Sequence, residues 1–102
     1  MDLLVRIKRA VIAGHVVFTR TAVEERQGDG LTEQDVRESI INATAIYKSI
    51  RSISRKTKQH REMLHVIYGT TLTGTVVYTK GKLLVESGIE TYYVLISAKR
   101  SE

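Results

Sequence analysis

The chain contains no cysteine and no proline. Without cysteine there is no disulfide, no thiolate metal site and no cysteine nucleophile. Three histidines with no local cluster of other ligands argue against a structural zinc. The lack of proline carries no functional message. No run of eighteen apolar residues occurs, so nothing is expected to span a membrane. The opening MDLLVRIKRAVIAG has Leu3, Leu4, Ile7, Ala10 and Val11 at helical spacing, interrupted by Arg6, Lys8 and Arg9. That pattern is an amphipathic first helix; a signal peptide needs an unbroken apolar core and a small-residue cleavage site. Several chemistries are missing as well. There is no phosphate-cradling glycine loop with GK[ST], no GxSxG elbow, no HExxH and no tight carboxylate group for two-metal catalysis.

What is present is basic. At 102 residues the chain has room for one domain, 1–102, because two would leave neither half enough core. A hydrophobic share of 42% and a charged share of 26% fit an ordinary globular protein. The net charge of +5 suggests a polyanionic partner, and its distribution sharpens the point. From Glu24 to Glu38 six acids face only Arg26 and Arg37, a local net of −4. From Lys48 to Arg61 the chain carries Lys48, Arg51, Arg55, Lys56, Lys58 and Arg61 with no acid, a local net of +6. A solvated face is the plainer explanation of such a run; a phosphate-binding surface is the functional one.

The first half reads as helices and the second as strands. A helix ending near Gly14 is followed by the β-like run His15 to Phe18. Thr19 then suits a helix cap, with Ala22 and Val23 on the buried side, and Gly28-Asp29-Gly30 breaks that helix. Thr32 with Asp35 resembles a capping box, Leu31 suits a hydrophobic staple, and Val36, Ile40 and Ile41 form the buried stripe that follows. Strands are expected at about 45–51, 61–69, 74–80, 82–86 and 91–98, with turns at Gly69–Gly74, Lys80-Gly81-Lys82 and Ser87-Gly88. Ser52 to His60 reads as a polar, basic loop. Short connections imply antiparallel pairing, so the expected fold is α+β: two or three N-terminal helices on one face of an antiparallel β-sheet.

Period-2 alternation then sorts the strand residues by face. Ile46, Lys48 and Ile50 share a side, as do Val76, Tyr78 and Lys80. In the last strand Tyr92, Val94, Ile96 and Ala98 are expected under the helices, leaving Tyr93, Leu95, Ser97 and Lys99 outside. Leu64, Val66 and Tyr68 are expected to be buried, which turns His65 outward. The predicted outer face therefore carries lysines, a tyrosine and a histidine. Such a set suits RNA cleavage without a metal or other cofactor. Cations can stabilise the phosphorane, and histidine or tyrosine can move the protons that the 2′-hydroxyl loses and the leaving 5′-oxygen gains. Aromatic rings on the same surface can stack single-stranded bases. By itself the set is weak: lysines such as Lys48 and Lys99 are more often snorkelling surface residues, a tyrosine such as Tyr78 more often packs on a sheet, and a lone histidine such as His65 is more often structural.

The order of short motifs resembles the MqsR-type toxins within the wider RelE-like superfamily. The pieces are "AGHVVFTRTA", "GLTEQDVRESIIN", "IYKSIRS", "HVIYG", "LTGTVVYTK" and "VLISAKR", covering about residues 8 to 100. The resemblance implies a cytoplasmic toxin of a type II toxin–antitoxin system, a metal-independent endoribonuclease that cleaves mRNA and is held by a cognate antitoxin protein. It implies catalytic positions at Lys48, Tyr78 and Lys99. At the position where the family carries a glutamine this chain has His65, with His60 the other histidine that could take that place. Arg51, Arg55, Lys56, Lys58, Arg61, Lys80 and Arg100 would then serve RNA binding. A non-catalytic RNA- or protein-binding module of the same fold is the alternative. A DNA-binding helix-turn-helix at 19–27 and 32–42 is poorly supported, because that segment is the acidic one and phosphates would repel it.

Overall fold

The structure, a computed structural model, describes residues 2–52 and 62–101. Helix α1 (Leu3–Ile12) begins at Asp2, whose carboxylate accepts from the Leu4 amide, and buries Leu4, Ile7 and Val11. Strand β1 (Val16–Phe18) follows, then α2 (Arg20–Gly28), capped by the Thr19 hydroxyl accepting from the Ala22 amide. Helix α3 (Glu33–Asn42) starts with the full reciprocal box: Thr32 Oγ1 accepts from the Asp35 amide and Asp35 accepts from the Thr32 amide. The remaining strands are β2 (Lys48–Ser52), β3 (Glu62–Thr70), β4 (Val76–Glu86) and β5 (Ile89–Arg100).

The strands form one five-stranded sheet in the order β1-β5-β4-β3-β2. β1 runs parallel to β5, pairing Val16 to Phe18 with Tyr93 to Leu95; every other pairing is antiparallel. The three helices cover one face. There Ile67, Val77, Tyr93, Leu95 and Ala98 meet Leu4, Ile7, Val11, Ala22, Leu31, Val36, Ile40 and Ala43 in a single core. The expected α+β arrangement is therefore the observed one. No helix among the described residues is long and apolar enough to cross a membrane.

Two glycines decide how this face is packed. A Cβ on Gly69 would lie 1.7 Å from the Ser39 carbonyl oxygen, so only glycine lets α3 settle on β3. Gly81, expected in a turn, instead lies inside the continuous strand β4. Its missing side chain leaves room for the Tyr93 ring, 2.7 Å from where a Cβ would stand. The sequence pattern takes Lys80-Gly81-Lys82 for a chain reversal because glycine between polar residues usually marks one. Here it marks a close approach across the sheet.

The helix-covered side also differs from the parity expected along β3 and β5. In β3 it is His65, Ile67 and Gly69 that face the helices, while Leu64, Val66 and Tyr68 face away. In β5 Tyr93 and Leu95 are buried in the core, not Tyr92 and Val94. A register shift then intervenes: Gly81 pairs with Leu95 but Lys80 pairs with Ser97, leaving Ile96 as an extra residue. Beyond that bulge Ala98 faces inward and Lys99 outward, as expected. Ile46 sits ahead of β2 and packs against the core, rather than sharing the outer face with Lys48 and Ile50.

Candidate nucleic-acid interface on the open sheet face

The sheet face away from the helices is where cations and aromatic rings converge. The cross-strand registers place Lys48, Val66, Lys80 and Ser97 in one row, and Tyr68, Tyr78 and Lys99 in the next. Tyr47, just ahead of β2, is tied to the sheet by its amide donating to the Val66 carbonyl at 2.8 Å. Its ring stands edge-on to Tyr68 with centroids 5.2 Å apart, and Tyr68 stands edge-on to Tyr78 at 5.5 Å. A lysine closes each end of this row. Lys48 Nζ is 5.8 Å from the Tyr47 centroid and Lys99 Nζ 5.4 Å from that of Tyr78. A continuous chain of contacts thus links Lys48 to Lys99 across four strands.

This surface is accessible without being loose. Tyr47 is 67% exposed and Tyr68 39%, whereas Val66 beneath them is 1% exposed although no helix covers it. Lys48 and Lys80 stand opposite Val66 on the two neighbouring strands, where lysine stems can cover apolar surface. The Tyr78 hydroxyl is held protonated above its ordinary range. Partial burial is the main cause, reinforced by Tyr68 and by the negative charge of Glu25. A phenol in that state is a proton donor at neutral pH, not a base.

In the sequence Glu25 is one of the six acids from Glu24 to Glu38. The structure brings it round the edge of β5. Among the described residues no strand pairs with that edge beyond Leu95, where β1 ends; the Thr19 hydroxyl donates to the Ile96 carbonyl at 3.3 Å, and Glu25 Oε1 accepts from the Ser97 hydroxyl at 2.6 Å and from the Ala98 amide at 3.2 Å. Its Oε2 lies 4.0 Å from Lys99 Nζ. Asp29, one turn on, accepts from the Arg100 amide at 2.8 Å. Nothing in the sequence sets Glu25 apart from the other acids of this segment, so sequence reasoning missed it.

The predicted residues divide. Lys48, Tyr78, Lys80 and Lys99 come together on the open face. His65 does not: it is 6% exposed on the helix side, with Nδ1 2.8 Å from Ser49 Oγ. Burial, and then the nearby Arg6 guanidinium, hold its pKa below the usual value, so it is neutral at neutral pH. The parity argument failed because it assumed that Leu64, Val66 and Tyr68 must lie under helices. Arg51 shares the Ser49 side of β2, and the Arg100 guanidinium donates to the Asp29 carbonyl at 3.3 Å, so neither joins Lys48 and Lys99. Arg55, Lys56, Lys58, His60 and Arg61 lie outside the described residues. Among the described residues no three His, Asp or Glu side chains gather as metal ligands.

No protein-family model matches the chain, and neither a curated protein nor a solved structure matches it. The fold and the chemistry of its open face are therefore the basis for a functional reading.

Proposed function

We propose that the open sheet face binds single-stranded RNA and cleaves it without a metal ion, as the toxin of a toxin–antitoxin pair. The observation that carries this reading is the row Lys48–Tyr47–Tyr68–Tyr78–Lys99, in which cations flank edge-on rings and the Tyr78 hydroxyl is kept protonated. Lys48 and Lys99 supply positive charge for a phosphate and for the phosphorane it becomes. Tyr78 donates a proton to the departing 5′-oxygen. Tyr47 and Tyr68 offer faces and edges to unpaired bases, which is how single-stranded RNA is usually held. Attack by the neighbouring 2′-hydroxyl restricts the reaction to RNA. A basic open face also fits an acidic antitoxin as the cytoplasmic partner that keeps it covered.

The test is incubation of the purified chain with a long RNA in EDTA. Fragments ending in a cyclic phosphate and a 5′-hydroxyl are expected, with Lys99→Ala slower by about 10²–10³-fold, the usual cost of losing one charge-stabilising group. Cleavage that vanishes in EDTA and returns with magnesium would falsify the metal-free chemistry. RNA binding without any cleavage would instead favour a non-catalytic module built on the same face.

A further inference from the structure

Tyr78, kept protonated, is the proposed acid, yet none of the residues predicted for the open face is placed to act as the base. The lysines are cations, and His65 lies on the other side of the sheet. Of the carboxylates that reach this face, Glu62 sits six residues along β3 from Tyr68 and is paired with Lys82 at 2.9 Å, whereas Glu25 lies beside Lys99. Its Oε1 is fixed by Ser97 Oγ and the Ala98 amide, which leaves Oε2 directed toward Lys99, 4.0 Å away. Lys99 in turn stands over the Tyr78 ring, directly across the register from Tyr78. The side chain is 28% exposed, open enough for contact with a ligand yet held by two hydrogen bonds.

Resting on the ribonuclease reading of this face, we propose that Glu25 is its general base, a catalytic residue contributed by α2 around the edge of β5. Glu25 Oε2 takes the proton of the 2′-hydroxyl as the 2′-oxygen forms its bond to phosphorus. The bond from phosphorus to the 5′-oxygen breaks, and that oxygen takes the Tyr78 proton. The products are a 2′,3′-cyclic phosphate and a 5′-hydroxyl. Glu25 ends protonated and Tyr78 ends as a phenolate, and exchange with water restores both. Lys99, between the two groups, meets the phosphorane charge. The edge of β5 serves the chemistry because β1 stops at Phe18, leaving the strand amide at Ala98 for a carboxylate rather than for another strand.

The experiment compares two RNA oligonucleotides, one natural and one with sulfur replacing the bridging 5′-oxygen at a single linkage. A thiolate leaves without a proton, so the sulfur substrate bypasses the acid but not the base. Tyr78→Phe is expected to be slow on the natural RNA and close to wild type on the sulfur one. Glu25→Gln, which keeps an acceptor for Ser97 and Ala98, is expected to be about 10²–10⁴-fold slow on both. Glu25→Asp keeps the carboxylate but withdraws it, and an intermediate loss that sulfur does not relieve is expected. Glu24→Gln makes the same charge change on the exposed side of α2, where Glu24 pairs with Arg20, and should cleave at the wild-type rate. Melting curves of all four variants report folding. A wild-type rate for Glu25→Gln, sulfur rescue of either Glu25 variant, or an equal loss in Glu24→Gln would overturn the assignment. A wild-type chain that cuts neither RNA removes the ribonuclease reading itself, a failure distinct from that of Glu25.

Discussion

The two faces of this sheet are built from the same strands by opposite means. Under the helices space is the scarce quantity: Gly69 and Gly81 survive there only because Ser39 and Tyr93 occupy the volume that side chains would need. On the open face there is no helix, and large side chains replace it. There Val66 is buried between its cross-strand neighbours Lys48 and Lys80, with Tyr68 next on the same face of β3, while the Tyr47 and Tyr68 rings and the Lys99 side chain stay in contact with solvent. One face is a packing problem solved by leaving atoms out; the other is a charged surface that happens to cover a valine. On the proposed reading, stability and recognition fall to different sides of the same backbone.

Substitutions can test whether that division holds. The largest effect is expected from Gly69→Ala, where the new methyl collides with backbone rather than with a flexible tip. A loss of about 3 kcal/mol or more in denaturant unfolding is expected, at or beyond the upper end of ordinary overpacking. A wild-type midpoint would mean that α3 does not sit so tightly on β3. On the open face Tyr47→Ala should leave the unfolding midpoint within about 0.5 kcal/mol of wild type, as for most exposed positions. It should weaken binding of a short single-stranded RNA by about 1–3 kcal/mol, the range for one stacked base. The reverse pattern, lost stability with unchanged affinity, would make the tyrosine row part of the core.

The smallest effect sharpens the comparison at His65. Its pKa is lowered in the folded state by burial and by Arg6, so below the unfolded value of ~6.5 the unfolded chain binds more protons. The stability this neutral histidine contributes is present above that pH and is lost as pH falls through the lowered folded value. Wild-type melting temperature should therefore drop on acidification from about pH 7 to 5. His65→Gln should drop less, while its rate of RNA cleavage keeps the wild-type pH profile. A flattened pH–rate curve would return His65 to the chemistry.

Much of the fold was legible because its signals are local. The Thr32–Asp35 box, the Thr19 cap and the apolar stripe of α3 each depend on residues within one turn, and each forms as expected. The strands were found, except that the two expected at 74–80 and 82–86 are the single strand β4. The facing of β3 and of the first half of β5 was not, because facing depends on non-local events. Gly69 commits β3 to α3 through a contact with Ser39, thirty residues earlier. The extra residue at Ile96 reverses the parity of β5 midway, so alternation read from Tyr92 gives the correct side for Ala98 and Lys99 but the wrong one for Tyr93 and Leu95. Lys48, Tyr78, Lys80 and Lys99 were recoverable as a group, since each is a polar residue in an apolar strand. Glu25 was not: on an acidic helix, one carboxylate in contact with a distant strand looks the same as its solvated neighbours.

The bulge at Ile96 has a consequence for how this chain can change its length. Insertions near Ser87 and Gly88 lengthen a hairpin tip and leave the phase of β5 untouched. A residue gained between Ser97 and Ala98 moves everything after it by half a pleat: Lys99 would turn toward the helices and Ala98 toward solvent, while Tyr93 and Leu95 kept their places. Losing Ile96 does the opposite of harm, because Ser97 then follows Leu95 directly and every later residue keeps its partner on β4, Lys99 still across from Tyr78. The strand is in that sense two reading frames joined at one spare residue, which can be dropped without a shift but not doubled.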